Sequence, residues 1–333
     1  MTNKAPLTIV VLAGGISHER DVSLRSGRRV AEALEAAGHT VIEKEPDAQL
    51  LPYLVANRPD VVWPALHGAS GEDGALRSLL EALSIPFVGS SADAARRAWS
   101  KPVAKSIVAE AGVAIAPGIA LAREAFRELG AASVLPVISE ALGTPLVVKP
   151  SQGGSAQGVS VVDSPADLPR AMVDAYTYSD IALIEQRIIG TEVAVSIIEL
   201  DGMTTPLPAV EIVPRSGLYS YEARYNAGET HFYTPARLSP RVTELVADQA
   251  LLAHQTLGLS HLSRIDFIID KTGVPVFLEA TVMPGLTETS LLPLAAQNAG
   301  LTLAHVCSEL AYDALSTDAV GDNESSLPLG SDG

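Results

Sequence analysis

The sequence predicts a chain of α/β and α+β type in three domains, the first of them a parallel α/β domain. Three observations support this. The first hundred residues alternate apolar strand-like runs with segments of helical spacing. Past Lys101, strands joined by glycine-rich or hairpin-like turns become more frequent. A chain of 333 residues that is 47% hydrophobic, at roughly 100 to 200 residues per domain, can fill two or three cores.

In the first unit LTIVVLAGG is a strand ending in a glycine turn, SLRSGRRVAEALEAAG a helix and HTVIEKE the next strand. DVVWPAL is a further strand, followed by the turn HGASGEDG, the helix ALRSLLEALS and the short strand IPFVG. The unit spans 1–99, and its functional loops are expected at the carboxyl ends of the strands. The second unit, 100–190, opens on the helix KPVAKSIVAEAG and passes through a Pro and Gly turn. The strand TPLVVKP, the loop SQGGSAQG, the strand VSVV, the helix SPADLPRAMVDAYT and the strand IALIEQRI follow. The third, 191–316, starts with the strand EVAVSIIEL. Its Tyr-rich segment SGLYSYEARYNAGETHFY fits neither period; the helix PRVTELVADQALLAHQTLG and the hairpin-like pair SRIDFIID and VPVFLEA come after it. Residues 317–333, small, acidic and aperiodic, read as a disordered tail.

The single cysteine, Cys307, cannot form an internal bridge and falls in an apolar helical stretch, which favours a buried structural thiol over a nucleophile. The N-terminus lacks the apolar core and cleavage site of a signal peptide, and no apolar run reaches the roughly 20 residues that span a bilayer. A cytoplasmic protein with no membrane partner is expected. A net charge of -16 argues against nucleic acid, so any anionic ligand must meet a local cluster of lysine, arginine and backbone N–H groups.

Four constellations carry chemistry. In LVVKPSQGGSAQGVSVV a strand ends at Lys149 before a Gly and Ser loop, which is either a phosphate cradle with a point charge or a structural hairpin; it has neither P-loop nor GxGxxG spacing. RIDFIID and VPVFLEAT, paired antiparallel, bring Asp266 and Glu279 together with Arg264 on the same face, as a magnesium site or as a surface charge cluster. In VMPGLTETSLLP hydroxyl residues open an apolar helix, as an anion site or as an ordinary cap. Glu19, His67 and Glu72 lie in loops after strands, where a carboxylate either holds a substrate ammonium group or is merely solvated.

In order, GGISHERDVSLRSG, LHGASGEDG, VVKPSQGGSAQGVSVV, IEQRIIGTEVAV, YSYEARY, RIDF and LEATVMPGLTETSLLP resemble the motifs of D-alanine:D-alanine ligases, of the ATP-grasp superfamily, from about Ile9 to Leu315. The resemblance implies three domains with ATP clamped between the central and C-terminal ones. Lys101 and Lys149 would then contact phosphates, Glu185, Gln186 and Ile188 the adenine, and Glu192 the ribose. Asp266 and Glu279 would ligate Mg²⁺, or Mn²⁺ in its place. Glu19 would hold the ammonium group of the first of two D-alanines, with His67 at the substrate and Ser155 and Tyr225 completing a hydrogen-bonded set. Ser290 and Leu291 would bind the second carboxylate, and Arg264 with the N–H of Gly285 would stabilise the oxyanion. A homodimer is the family expectation.

The implied reaction forms an acyl phosphate from ATP and the first carboxylate, then a dipeptide, ADP and phosphate, for peptidoglycan precursors. The segment from Ser216 to Tyr233 is the expected lid. Tyr225 favours an amine nucleophile over a hydroxy acid. Four positions depart from the family pattern: Thr281 in place of a metal-ligating asparagine, Gly153 and Ala156 in the phosphate loop, and Arg224 where lysine is usual and where it would reach the γ-phosphate of ATP. They keep two alternatives open: an ATP-grasp ligase of secondary metabolism with a different second substrate, and a nucleotide-binding regulatory paralogue with reduced catalysis.

Overall fold

Three sheets organise the described residues, one for each predicted unit. The structure, a computed structural model, describes residues 4–226 and 228–321, without the side chains of Tyr221, Tyr225 and 317–321.

The first sheet is parallel: β1 (Thr8–Leu12) lies between β2 (Thr40–Lys44) and β3 (Val61–Pro64). Ile9, Val10, Val11 and Leu12 are all fully buried, as expected of a strand covered by helices on both faces. IPFVG contributes only a single bridge, Phe87 to Val62, so the fourth strand expected there does not form. Three helices were not anticipated, one of them the single turn Ala69–Glu72 within HGASGEDG. Leu50–Asn57, LLPYLVAN, is almost uniformly apolar and lacks the polar stripe that marks a helix, and Ala92–Trp99 is masked by its alanines.

The second sheet is antiparallel, with β4 (Gly118–Ala122), β5 (Leu146–Pro150), β6 (Ser160–Val162) and β7 (Ile181–Gln186) in the order β4-β7-β5-β6. The helices Ala131–Leu142 and Leu168–Tyr176 back it around Leu146, Val148, Met172 and Ile184. Where a Pro and Gly turn was expected before β5, the chain forms β4 and two helices, the second with Pro136 inside it.

The third sheet holds β8 (Gly190–Leu200), β9 (Met203–Pro206), β10 (Val210–Pro214), β11 (Thr230–Tyr233), β12 (Leu262–Asp270) and β13 (Pro275–Thr281), ordered β11-β10-β8-β12-β13 with β9 on β8. On one face Val193, Val195, Ile265 and Phe267 pack with Ala250, Ala253 and Leu257 of the helix Pro240–Leu257. Ala94, Ala95, Ala98, Ala104 and Val108 join the same core. The helices Ala92–Trp99 and Lys101–Glu110 therefore pack on the third sheet, although the sequence placed them in the first two units. Their alanines permit close approach to β13.

On the other face Ala194, Ile198 and Val210 share a core with Ile9, Val11 and Trp63 of the first sheet. The helix Leu303–Gly321 fills that junction through Val306, Cys307, Leu310 and Ala311, confirming Cys307 as a buried free thiol. This helix runs on through Gly321, past the predicted start of the tail; residues 322–333 lie outside the described residues. Among the described residues no helix is long and apolar enough to cross a membrane.

Candidate active site

The hairpin of β12 and β13 sets the charged centre. Its register pairs Asp266 directly with Glu279 and Arg264 with Thr281, and a bulge follows Asp266. Pairing across an antiparallel ladder puts these side chains on one face, as the alternation of RIDF and LEAT requires. Arg264 grips Asp266 through two bonds, Nε to Oδ1 at 2.7 Å and Nη2 to Oδ2 at 2.8 Å, and donates to the Thr281 hydroxyl at 3.3 Å. Burial works against the Arg264 charge, but Asp266 and Glu279 outweigh it and raise its pKa, so it stays protonated.

Glu279 is pulled the other way. Burial would push its carboxyl up, yet Lys101, Arg224, Lys149 and Arg264 bring it down to about 2. Lys101 Nζ lies 3.1 Å from Glu279 and donates to the Gly153 carbonyl at 2.6 Å, tying the glycine loop to β13. Two carboxylates facing each other across two strands suit Mg²⁺, which takes one or two carboxylates and completes its shell with phosphate and water. Asp266 and Glu279 are the carboxylates that fit the ion, and the Thr281 hydroxyl beside them accepts from Arg264 at 3.3 Å.

The loop after β5 is built for close approach. Gly153, Ser155, Ala156 and Gly158 all have positive φ, at 119°, 53°, 55° and 67°. For the two non-glycines this costs about 1 kcal/mol or more each, strain of the kind that clusters at ligand clamps. A side chain at Gly153, where the family pattern has glutamate, would be strained. A Cβ at Gly154 would stand 3.0 Å from Glu19 Oε2, so this glycine admits the Glu19 carboxylate to the loop. Ser155 Oγ donates to Glu19 Oε1. Glu19 and Ser155, distant in sequence, thus meet as expected, whereas the Tyr225 side chain lies outside the described positions.

Behind the loop sits an ion triad. Lys149 Nζ and Lys105 Nζ each lie 2.7 Å from a different oxygen of Glu185, and Lys105 also donates to the Phe277 carbonyl at 2.9 Å. The Glu185 carboxylate is therefore engaged by lysines. Gln186 likewise turns its side chain away, donating to the Leu142 carbonyl at 2.8 Å. These two side chains are thus turned from the adenine contact that the resemblance implies, and the Gln186 N–H itself donates to the Pro117 carbonyl at 2.9 Å; Ile188 lines the third cavity. Lys105 was missed; its only sequence signal is a lysine four residues, one helical turn, from Lys101. Burial and Lys149 press its pKa down to about 8 against the pull of Glu185.

Three cavities run together through these groups. One of about 170 Å³ lies between Glu19, Glu72, Arg264, Gly285 and Ser290. The next, about 150 Å³, shares Lys101, Gly153 and Glu279 with it and adds Lys149 and Glu192. The third, about 410 Å³, continues past Lys149 and Glu192 to Ile188, with Val147, Ile268 and Leu278 as apolar walls. Tyr219, unforeseen, lines the first two, with the Arg224 guanidinium 4.1 Å over its ring. The lid segment, assigned to neither period, forms a short helix Tyr221–Tyr225 capped by Ser220 and then β11, which pairs with β10. Burial, with Asp266 and Glu279 nearby, lifts Glu192 to about 7 even though Arg224 opposes the shift.

In the first cavity Ser290 precedes the helix Leu291–Asn298, and its hydroxyl accepts from Thr287 N–H at 3.0 Å. His67 is buried at the wall of the first cavity, with Nε2 3.1 Å from Ser26 Oγ. Burial lowers its pKa. Glu72 accepts from Gly68 N–H at 2.9 Å. Burial, then the charge of Glu19, pushes its pKa up to about 8. Between about 4.5 and 8 the folded chain thus holds a proton at Glu72 that the unfolded chain releases, so this group's contribution to stability falls as pH rises through that window. Thermal unfolding of Glu72→Gln and wild type at pH 6 and pH 8.5 checks it. The variant is expected to gain on the wild type at the higher pH, and a constant difference would mean that Glu72 is ionised throughout.

Known proteins match this arrangement over nearly the whole chain. Residues 45–90 match the family model "D-ala D-ala ligase N-terminus" and residues 107–311 the model "D-ala D-ala ligase C-terminus". A D-alanine--D-alanine ligase of Anaeromyxobacter dehalogenans is 38% identical over 302 residues, covering 91% of this chain and 95% of that protein. Among solved structures, the VanG D-Ala:D-Ser ligase of Enterococcus faecalis superposes with a TM-score of 0.80 at 25% identity, covering 93% of this chain and 100% of that one. The D-alanine--D-alanine ligase of Bacillus anthracis complexed with ATP gives 0.79 at 26% identity, covering 95% and 99%. With both domain models matched in order, and that identity sustained over nine-tenths of its length, the chain belongs to the D-Ala-D-Ala ligase family.

Proposed function

We propose that this protein joins two D-alanine molecules into D-alanyl-D-alanine with conversion of ATP to ADP and phosphate, supplying peptidoglycan precursors. The observation that carries the reading is the continuity of the cavities. An acidic end at Glu19 suits an ammonium group, a cationic middle at Lys101, Lys149 and Arg264 suits phosphates, and an apolar far end suits a base.

Glu19, oriented by Ser155, holds the first D-alanine so that its carboxylate faces the phosphate groups. Lys101 and Lys149 offset the charge there while the γ-phosphoryl passes to that carboxylate. Mg²⁺ held by Asp266 and Glu279 would supply further charge neutralisation at the phosphates. Ser290 and the free N–H groups at the start of the helix Leu291–Asn298 hold the carboxylate of the second D-alanine, whose amine attacks the acyl phosphate. Arg264 and the Gly285 N–H take the charge of the tetrahedral oxyanion, and phosphate leaves. Tyr219 and Arg224, which line the first two cavities, shield the site, because water reaching the acyl phosphate would hydrolyse it. The reading extends to Mg²⁺ or Mn²⁺ as the ion, the cytoplasm as the compartment and a homodimer as the assembly. Domains of 1–99, 100–190 and 191–316 are kept as units of the chain, with their helices exchanged at the junctions.

Phosphate release from ATP and Mg²⁺ tests it, with D-alanine, L-alanine, and D-alanine paired with D-serine or D-lactate, and products identified by mass. Release that requires D-alanine and yields its dipeptide is expected. Preference for a mixed product would move the assignment to a ligase with another second substrate, and ATP binding without turnover to a regulatory paralogue.

A further inference from the structure

We propose that Ser26 and His67 are positioning residues for the acyl-transfer step, a relay from the first unit that orients the Gly285 N–H toward the reacting carbonyl. The inference rests on the reading of Gly285 as an oxyanion donor.

Ser26 lies on the helix Arg20–Ala36 and is buried. Its hydroxyl oxygen accepts from the Leu286 N–H at 3.2 Å and lies 3.1 Å from His67 Nε2. His67 follows β3. A neutral imidazole with its proton on Nδ1 lets Nε2 accept from the Ser26 O–H while the Ser26 oxygen accepts from Leu286, and this is the tautomer the relay takes. Burial and the charge of Arg264 favour the neutral ring, while Glu19 opposes them.

The geometric consequence concerns three successive peptide planes. The Met283 carbonyl belongs to the 283–284 plane and the Leu286 N–H to the 285–286 plane. The Gly285 N–H belongs to the plane between them, with Pro284 contributing no N–H of its own. Ser26 pins the plane that follows, and Arg29 adds a bond to the Leu286 carbonyl at 3.1 Å. A Cβ at Gly285 would stand 2.8 Å from Ser290 Oγ, so a glycine is what lets this plane lie beside Ser290. An oxyanion donor is effective only when its direction is set before the charge develops.

Two measurements test this. In wild-type protein with ¹⁵N-labelled histidine, NMR is expected to show one histidine locked in the Nδ1–H tautomer and lost in His67→Asn; a His67 ring protonated at Nε2 would overturn the proposal whatever the turnover. In steady-state assays Ser26→Ala is expected to lower kcat by at least about tenfold, a fraction of the 10²–10³ that loss of a whole oxyanion donor costs. Its KM for ATP should stay within about twofold, because a local misorientation leaves the nucleotide site intact. His67→Asn, whose amide nitrogen stands near the place of Nδ1, should retain more kcat than His67→Ala. A Ser26→Ala enzyme that matches wild-type kcat sinks the relay, whereas a wild type that makes no dipeptide sinks the ligase reading itself.

Discussion

Replacing Arg264 by methionine is expected to cut kcat by about a hundred- to a thousandfold, the range for removing one preorganised donor at a developing oxyanion. Arg264 is held on both sides, by Asp266 through two bonds and by the Thr281 hydroxyl, so its guanidinium needs no reorganisation when charge appears in the cavity. Methionine keeps the stem's volume but leaves Asp266 without its partner beside Glu279. Arg264→Lys restores the charge without the fork and should recover only part of the rate. Circular dichroism and calorimetric ATP binding establish that both variants are folded and loaded. A kcat for Arg264→Met within threefold of wild type would remove Arg264 from the chemistry.

Glu185→Gln is expected to produce the largest loss of stability of any single polar change at the site. The three members of the Lys149–Glu185–Lys105 triad are each less than a tenth exposed, and removing the carboxylate leaves two buried cations facing one another. Breaking a buried pair in this way costs about 3–5 kcal/mol, or on the order of 10 °C in Tm for a chain of this size. The pH dependence distinguishes this cause from a packing defect. Lys105 already sits at about 8 in the wild type, and without Glu185 it falls lower, while the unfolded chain keeps the ordinary 10.5. The unfolded state then binds more protons than the folded state below 10.5, so the stability of the variant rises with pH. Its deficit should therefore shrink between pH 7 and pH 9. The KM for ATP should also rise, because Lys149 loses the anion that holds it at the phosphate cavity.

Strands with clear alternation or strong apolar character were legible from residue pattern: β1, β3, β5, β7, β8, β12 and β13 all fall where the runs TIVVL, VVWP, LVVKP, IALIEQ, EVAVSIIEL, SRIDFIID and PVFLEA place them. The misses have a common physical origin. Leu50–Asn57 and Ala131–Leu142 have no clean polar face, and β10 leads into the lid while β11 ends it, where charged and aromatic residues hide a period of two. IPFVG has the composition of a strand but makes only one bridge.

At the site, residue identity determined which groups are present, and the period of a strand pair determined that Arg264, Asp266, Glu279 and Thr281 share a face. Neither determines partners separated by a hundred residues or more. Glu19 meets Ser155 only because the loop after β1 and the loop after β5 converge, with Gly154 leaving room for the carboxylate. Glu185 is held by lysines because Lys105 comes from a helix that packs on β13, an association set by alanines that carry no chemistry of their own. His67 became an internal link and Glu72 a carboxyl that keeps its proton toward neutral pH for the same reason. Hydrogen-bond geometry and the cost of burying charge depend on what surrounds a side chain, and that is decided by packing.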